Sequence, residues 1–260
     1  MTVMQIGNVE INVRQWGRGE TVFLVHGLGT NSSLWFNQVP VLSQHYHVVA
    51  IDLRGFGRSS KPHRKDAYSI DQMADDVIGV CDALNVSSIH YLGVSMGGFI
   101  GQTVALKAPE LCRSLILGQT ACEFGIPADI LEARLTALDS TSMDDYAQLV
   151  ADQALAQPPE PIVEEWLCNM IADNDREAYK YVLAGALAAF DLTDRVATIE
   201  QPTLIISGSE DRVIPPEKGA ELQRRMRNSE FVLIDGIGHI GYAERPAEFN
   251  QHVTAFLSRQ

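Results

Sequence analysis

Ser88-Ile89-His90-Tyr91-Leu92-Gly93-Val94-Ser95-Met96-Gly97-Gly98-Phe99-Ile100-Gly101 carries the densest structural signal in the chain. Ile89 to Val94 is apolar and short, as a buried strand is. Phe99 to Ala108 predicts a helix, stopped by Pro109. Between them, Gly93-Val94-Ser95-Met96-Gly97 fits G-x-S-x-G, the spacing of a sharp strand-to-helix turn. Glycines at 93 and 97 let the two elements approach closely. Ser95 then sits at the tip of the turn with Oγ clear of the sheet, and the helix N–H groups point back toward it. Gly98 and Gly101 let the helix lie close on the strands.

The flanks repeat the alternation. Val3 to Trp16 predicts a hairpin around Gly7-Asn8. Thr21 to Val25 is a strand that runs into His26-Gly27-Leu28-Gly29-Thr30. Tyr46 to Ile51 is a strand followed by Asp52-Leu53-Arg54-Gly55-Phe56-Gly57-Arg58-Ser59. Ser69 and Gln72 predict a capping box opening a helix to Leu84. Leu111 to Leu117 is a further strand. Pro202 to Ser207 and Glu230 to Ile234 close the series, with helices opened by Pro215-Pro216 and by Pro246.

Between these blocks, Cys122 to Arg195 is helical or irregular, with helix starts at Thr141-Ser142 and after Pro158-Pro159-Glu160-Pro161 and a helix over Ala178 to Phe190. The expected organisation is a first core segment, 1–121, a helical insertion forming a cap, 122–195, and a second core segment, 196–260. Alternating strands and helices imply an α/β protein with a mostly parallel sheet covered on both faces. Such sheets place functional loops at the strand carboxyl ends. Here those loops hold His26-Gly27-Leu28, Ser95, Asp211 and His239, so four separate segments aim chemistry at one rim.

Composition narrows the partners. The chain has 260 residues and a net charge of −13, which argues against nucleic acid and against an anionic membrane surface. Met1 to Glu10 has no basic and apolar leader pattern, and no apolar run reaches a membrane span. Cys81, Cys112, Cys122 and Cys168 lack metal or redox spacing, so reduced thiols in a cytoplasmic protein are expected. His45-x-His47 has no third ligand nearby. No metal and no organic cofactor is implied.

A serine hydroxyl needs a base, and the base needs an orienting partner. The order Ser95, Asp211, His239 supplies nucleophile, acid and base. With His26-Gly27-Leu28-Gly29, Asp52-x-Arg54-Gly55-x-Gly57-x-Ser59, Gly208-x-x-Asp211, and Gly238-His239 with Glu244 and Pro246, the chain resembles the α/β-hydrolases over nearly its whole length. The resemblance implies Ser95 as nucleophile, His239 as general base and Asp211 as its partner. It implies an oxyanion hole from the backbone N–H groups of Leu28 and Met96. His26 is expected to shape the oxyanion loop, Asp52 and Arg54 to fix loops, and the other histidines to be structural or at the surface. Trp35 is expected either to line the pocket or to sit in the core.

Within the superfamily the motifs look most like 3-oxoadipate enol-lactonases and small-ester hydrolases. The expected substrate is a small or medium neutral ester or lactone. C–C hydrolases of ring-fission products and cofactor-free perhydrolases share the triad. The former usually carry tryptophan after the histidine and a Gly-Pro-Gly type oxyanion loop, where this chain has Ile240 and Leu28-Gly29-Thr30. A ligand receptor with the same fold and little turnover is the alternative of another class. A dicarboxylate-derived lactone calls for a cation in the pocket. From Glu123 to Arg195 the basic residues are Arg134, Arg176, Lys180 and Arg195, against fifteen acidic ones, which reads as a solvated acidic outer face. The insertion leaves and rejoins the core at the active rim, so it is expected to set acyl selectivity.

Overall fold

The computed structural model describes residues 2–260; Met1, part of the amino-terminal stretch read above, lies outside them. Strands β1 (Thr2–Ile6) and β2 (Val9–Trp16) form the hairpin around Gly7-Asn8. β3 (Thr21–Val25) precedes a short helix α1 (Val39–Leu42) and β4 (His47–Ile51). Helix α2 (Ile70–Leu84) leads to β5 (Ile89–Val94), α3 (Met96–Lys107) and β6 (Cys112–Gly118). The insertion holds β7 (Glu123–Gly125), α4 (Ala128–Ser140), α5 (Met143–Ala154), α6 (Pro161–Ala172), α7 (Arg176–Val182) and β8 (Ala189–Asp191). The chain closes with β9 (Thr203–Gly208), α8 (Pro216–Arg225), β10 (Ser229–Ile234), the single turn α9 (Gly241–Glu244) and α10 (Pro246–Leu257).

Eight strands make one sheet in the order β1-β2-β4-β3-β5-β6-β9-β10. All pairs from β4 to β10 are parallel, and only the β1–β2 hairpin and its junction with β4 are antiparallel. Every residue of β3, β5 and β9 is buried, as expected of central strands covered on both faces. The chain passes from β3 outward to β4 and then returns to lay β5 on the other side of β3. This reversal opens a crevice at the carboxyl ends of β3 and β5, between their helices. The His26 loop and Ser95 stand on its two sides.

Two elements differ from expectation. The helix after Ser95 begins at Met96 rather than Phe99, because the backbone turns into it directly at Ser95. The predicted helix over Ala178 to Phe190 is instead α7, a widened turn over Leu183–Leu187, and strand β8. Phe190 is drawn out of helix by its neighbours: it stacks on Phe99 at 4.3 Å and pairs with Phe124 across β7. The capping box is half formed. Ser69 Oγ accepts from Gln72 N at 3.1 Å, while the Gln72 amide donates to Asp66 O instead.

Candidate active site

The turn after β5 is built by contact distances that only glycine meets. A Cβ at Gly93 would lie 2.3 Å from Gly97 O, and one at Gly97 would lie 2.2 Å from Val25 O. Ser95 itself is held at φ 54°, ψ −121°, a strained conformation for a residue with a side chain. It stands at the N-terminus of α3 yet does not cap it. Its Oγ faces the imidazole of His239, 2.9 Å from Nε2.

His239 comes from the loop after β10 and Asp211 from the loop after β9. The ring donates from Nδ1 to Asp211 Oδ2 at 2.8 Å. Asp211 Oδ1 accepts from Val213 N and Ile214 N, at 2.9 and 2.8 Å, so the carboxylate cannot swing. Glu210 beside it is exposed. With Nδ1 carrying the proton, the lone pair of Nε2 is turned toward Ser95. The three side chains named from sequence therefore meet in one hydrogen-bonded row.

Gly27 brings the loop after β3 against this row, for a Cβ there would lie 3.1 Å from Ser95 Cβ. Among the described residues, neither the Leu28 nor the Met96 N–H donates to any group. Two uncommitted donors thus sit beside one serine, the later of them at the positive end of α3.

His26 holds this loop from beneath. Leu53 N donates to His26 Nε2 at 2.9 Å, so Nδ1 bears the hydrogen and donates to Gly27 O at 2.7 Å. Burial drives its pKa down to about 4, against the weaker opposing pull of Asp52 and the Gly27 carbonyl. A second proton would set N–H against the Leu53 N–H. The unfolded chain binds that proton near its ordinary pKa of about 6.5. Stability should therefore fall as pH drops from about 6.5 to about 4, by up to roughly 3 kcal/mol from this residue, and no further below. Urea melts across that window should show a shallower pH slope for His26→Gln than for the wild type; equal slopes would refute the assignment.

Asp52 fixes the adjoining loop. Its carboxylate accepts from Ser32 N at 2.7 Å, Arg58 N at 2.8 Å and Asn12 Nδ2 at 2.9 Å. Arg54 is paired in two places with buried Asp76, each contact 2.6 Å. His90 is buried against Ser114, and His47 bridges Thr21 and Gln15. No group of three His, Cys, Asp or Glu side chains among the described residues could hold a metal ion, and all four cysteines are free.

Over Ser95 lies a cavity of about 370 Å³. Its floor is Ser95, His239 and the Leu28 loop, and α4 to α7 supply much of its wall. Phe99, Phe124, Leu167, Ile171, Leu187 and Val213 make it largely apolar. Ile130 on α4 and Leu149 on α5 line it while remaining 44% and 50% exposed, so it meets solvent between those helices. Trp35 does not line it. The indole is fully buried and packs on Tyr242, ring centroids 5.7 Å apart, and Tyr242 is the cavity-facing partner. The pocket alternative for Trp35 is thereby corrected to core: the turn Ser32–Asn37 points the ring inward.

Two residues gained no role from sequence. Arg134 was only counted, yet Ile130, Ala133, Arg134 and Ala137 form a helical stripe that faces the cavity. Among the described residues Arg134 makes no hydrogen bond or ion pair, while its charge reaches the buried Tyr146 and Tyr179 hydroxyls. The spacing of the stripe was available in the sequence. Glu244 appeared only inside a motif, and its partners are distant in the chain.

Residues 20–157 match the family description "alpha/beta hydrolase fold", and residues 188–259 match "TAP-like protein". The chain belongs to the α/β-hydrolase family. This α/β-hydrolase is 30% identical over 257 residues to 3-oxoadipate enol-lactonase 2 of Acinetobacter baylyi, covering 97% of this chain and 94% of that one. It is 27% identical over 260 residues to a protein of Agrobacterium fabrum designated provisionally as carbamate hydrolase RutD, covering 95% and 97%. The crystal structure of the enol-lactonase from Burkholderia xenovorans LB400 superposes with a TM-score of 0.93 at 28% identity, covering 99% and 100%. Its relatives are hydrolases, and so is this protein. No helix among the described residues is long and apolar enough to cross a membrane.

Proposed function

We propose that this α/β-hydrolase cleaves a small or medium carboxylic ester or lactone through an acyl-enzyme on Ser95. The observation that carries the reading is the row Ser95 Oγ, His239 Nε2 and Nδ1, Asp211 Oδ2, with the two free N–H donors at its end. Ser95 Oγ attacks the acyl carbon while Nε2 takes its proton. Asp211 steadies the imidazolium. The new oxyanion lies between the N–H groups of Leu28 and Met96, where one lost donor costs about 3–4 kcal/mol of transition-state stabilisation. His239 returns the proton to the leaving oxygen, which in a lactone stays tethered to the acyl group. Water then attacks the acyl-enzyme, gives its proton to Nε2, and Ser95 leaves as the hydroxyl.

Residues 122–195 act in this reading as a cap that shapes the acyl pocket. Its apolar lining suits an organic acyl group. Labelling with a fluorophosphonate, read by intact mass beside p-nitrophenyl acetate and butyrate turnover, tests the proposal. Modification away from Ser95, or no turnover across short acyl esters and lactones, would refute it.

Arg134 refines the substrate. The outer face of the cap is acidic, but the cavity holds an uncommitted guanidinium beside two tyrosine hydroxyls. An acyl group with a distal carboxylate gains a charge-assisted contact there that a neutral one of equal length does not. For two such esters, Arg134→Met should raise KM for the carboxylate-bearing one about tenfold, a loss of about 1.4 kcal/mol, and leave the neutral one nearly unchanged. An unaltered KM ratio would remove Arg134 from recognition.

A further inference from the structure

The end of α5 is fastened to the histidine loop. His239 N donates to Ala154 O at 2.6 Å. Glu244 Oε2 accepts from Ala156 N at 2.9 Å, and its Oε1 accepts from Gly238 N at 3.0 Å and from Ile240 N at 3.2 Å. One carboxylate thus takes the N–H groups on both sides of His239 and one from the insertion. The surfaces meet closely: a Cβ on Gly238 would lie 2.4 Å from Ala154 O and 2.7 Å from Ala156 N. From the other side, Arg212, next to Asp211 in sequence, donates to Asp152 O at 2.6 Å and Leu155 O at 2.7 Å. The same α5 turns Val150, Gln153 and Ala154 into the cavity.

We propose that Glu244 is a positioning residue that clasps the cap to the histidine loop, so that seating the cap and placing His239 are one event. A seated cap holds His239 N directly and braces, through Ala156, the carboxylate that holds the N–H groups of Gly238 and Ile240. A lifted cap removes the acceptor of His239 N and one donor of Glu244 together. The loop then loses the constraint that aims Nε2 at Ser95. Glu244 has no cationic partner among the described residues, and burial together with nearby Asp211 outweighs its three N–H donors and holds its carboxyl above the usual range. Its charge couples to Asp211 on the β9 loop and to the buried Tyr242 hydroxyl on its own segment.

Glu244→Gln keeps the shape but leaves a single acceptor oxygen and removes the charge. Because reacting groups misplaced by an ångström cost about a hundredfold, kcat should fall about ten- to a hundredfold while KM stays within about threefold. The rate of fluorophosphonate labelling should fall in parallel. A residue that only supports the fold would not lower kcat while leaving KM in place. Hydrogen exchange supplies the second arm. In the wild type, amides 154–157 and 237–241 should open with one protection level, and both should lose it in the variant. Wild-type kcat and labelling rate in Glu244→Gln would overturn the clasp. So would independent protection of the two segments in the wild type, a measurement that stands even where the variant fails to fold. The kinetic arm rests on the Ser95 hydrolase reading. If the wild type turns over no ester or lactone, that reading fails by itself, and the exchange arm still decides the clasp.

Discussion

Ser95→Ala should abolish fluorophosphonate labelling and lower turnover of p-nitrophenyl esters by about a millionfold, the loss seen when a serine nucleophile is removed from a complete triad. The variant keeps the imidazole, the carboxylate and both free N–H groups. A residual rate of about a thousandfold over water is therefore expected from oxyanion binding and substrate orientation alone. The fold should survive, because among the described residues the only hydrogen bond of Ser95 Oγ runs to His239, and none caps α3. Circular dichroism and a thermal melt close to wild type would show that chemistry alone was lost. Persistent labelling, or a rate loss below about a hundredfold, would mean that another residue carries the acyl group.

Gly97→Ala should be the most destabilising single methyl addition in this region. Its Cβ would lie 2.2 Å from Val25 O and 2.8 Å from His26 O. Both are backbone oxygens in the packed centre of the sheet, so no side chain can rotate away. Either α3 lifts off β3 or the His26 loop is displaced. We expect a loss of at least about 4 kcal/mol, which lowers Tm by about 10 °C in a chain of this size. Any folded remainder should also lose activity, because the displaced groups carry Ser95 and Leu28. A melt within about 2 °C of wild type would mean that the elbow is looser than its contacts indicate.

Much of this molecule was legible because its strongest signals are local. A strand, a glycine-flanked serine and a helix sit within fourteen residues, and each loop that meets Ser95 follows its own apolar strand. The meeting of Asp211 and His239 with Ser95 was readable for the same reason. What escaped depended on the company that residues keep in space. Phe190 lies in a run of alanines and leucines that favours helix, and its strand conformation comes from Phe99 and Phe124. Trp35 follows the His26 loop in sequence, but the turn over Ser32–Asn37 buries it. Glu244 acts on Ala156, a residue 88 positions away, and no spacing rule spans that distance.

The β7–β8 ribbon bears on how such a protein changes over generations. Glu123, Phe124 and Gly125 pair with Asp191, Phe190 and Ala189, and Cys122 O receives Leu192 N at 2.8 Å. The chain thus departs from the core and comes home one strand spacing apart. To the sheet, everything in between is the tip of a hairpin. Lengthening such a tip is cheap, about 0.6 kcal/mol for each doubling of a flexible loop. The stretch between the two matched segments, 158–187, falls wholly inside it. A lineage can therefore exchange the roof over Ser95 as a cassette while inheriting the machinery beneath it untouched, provided the new piece still offers the histidine loop something to hold.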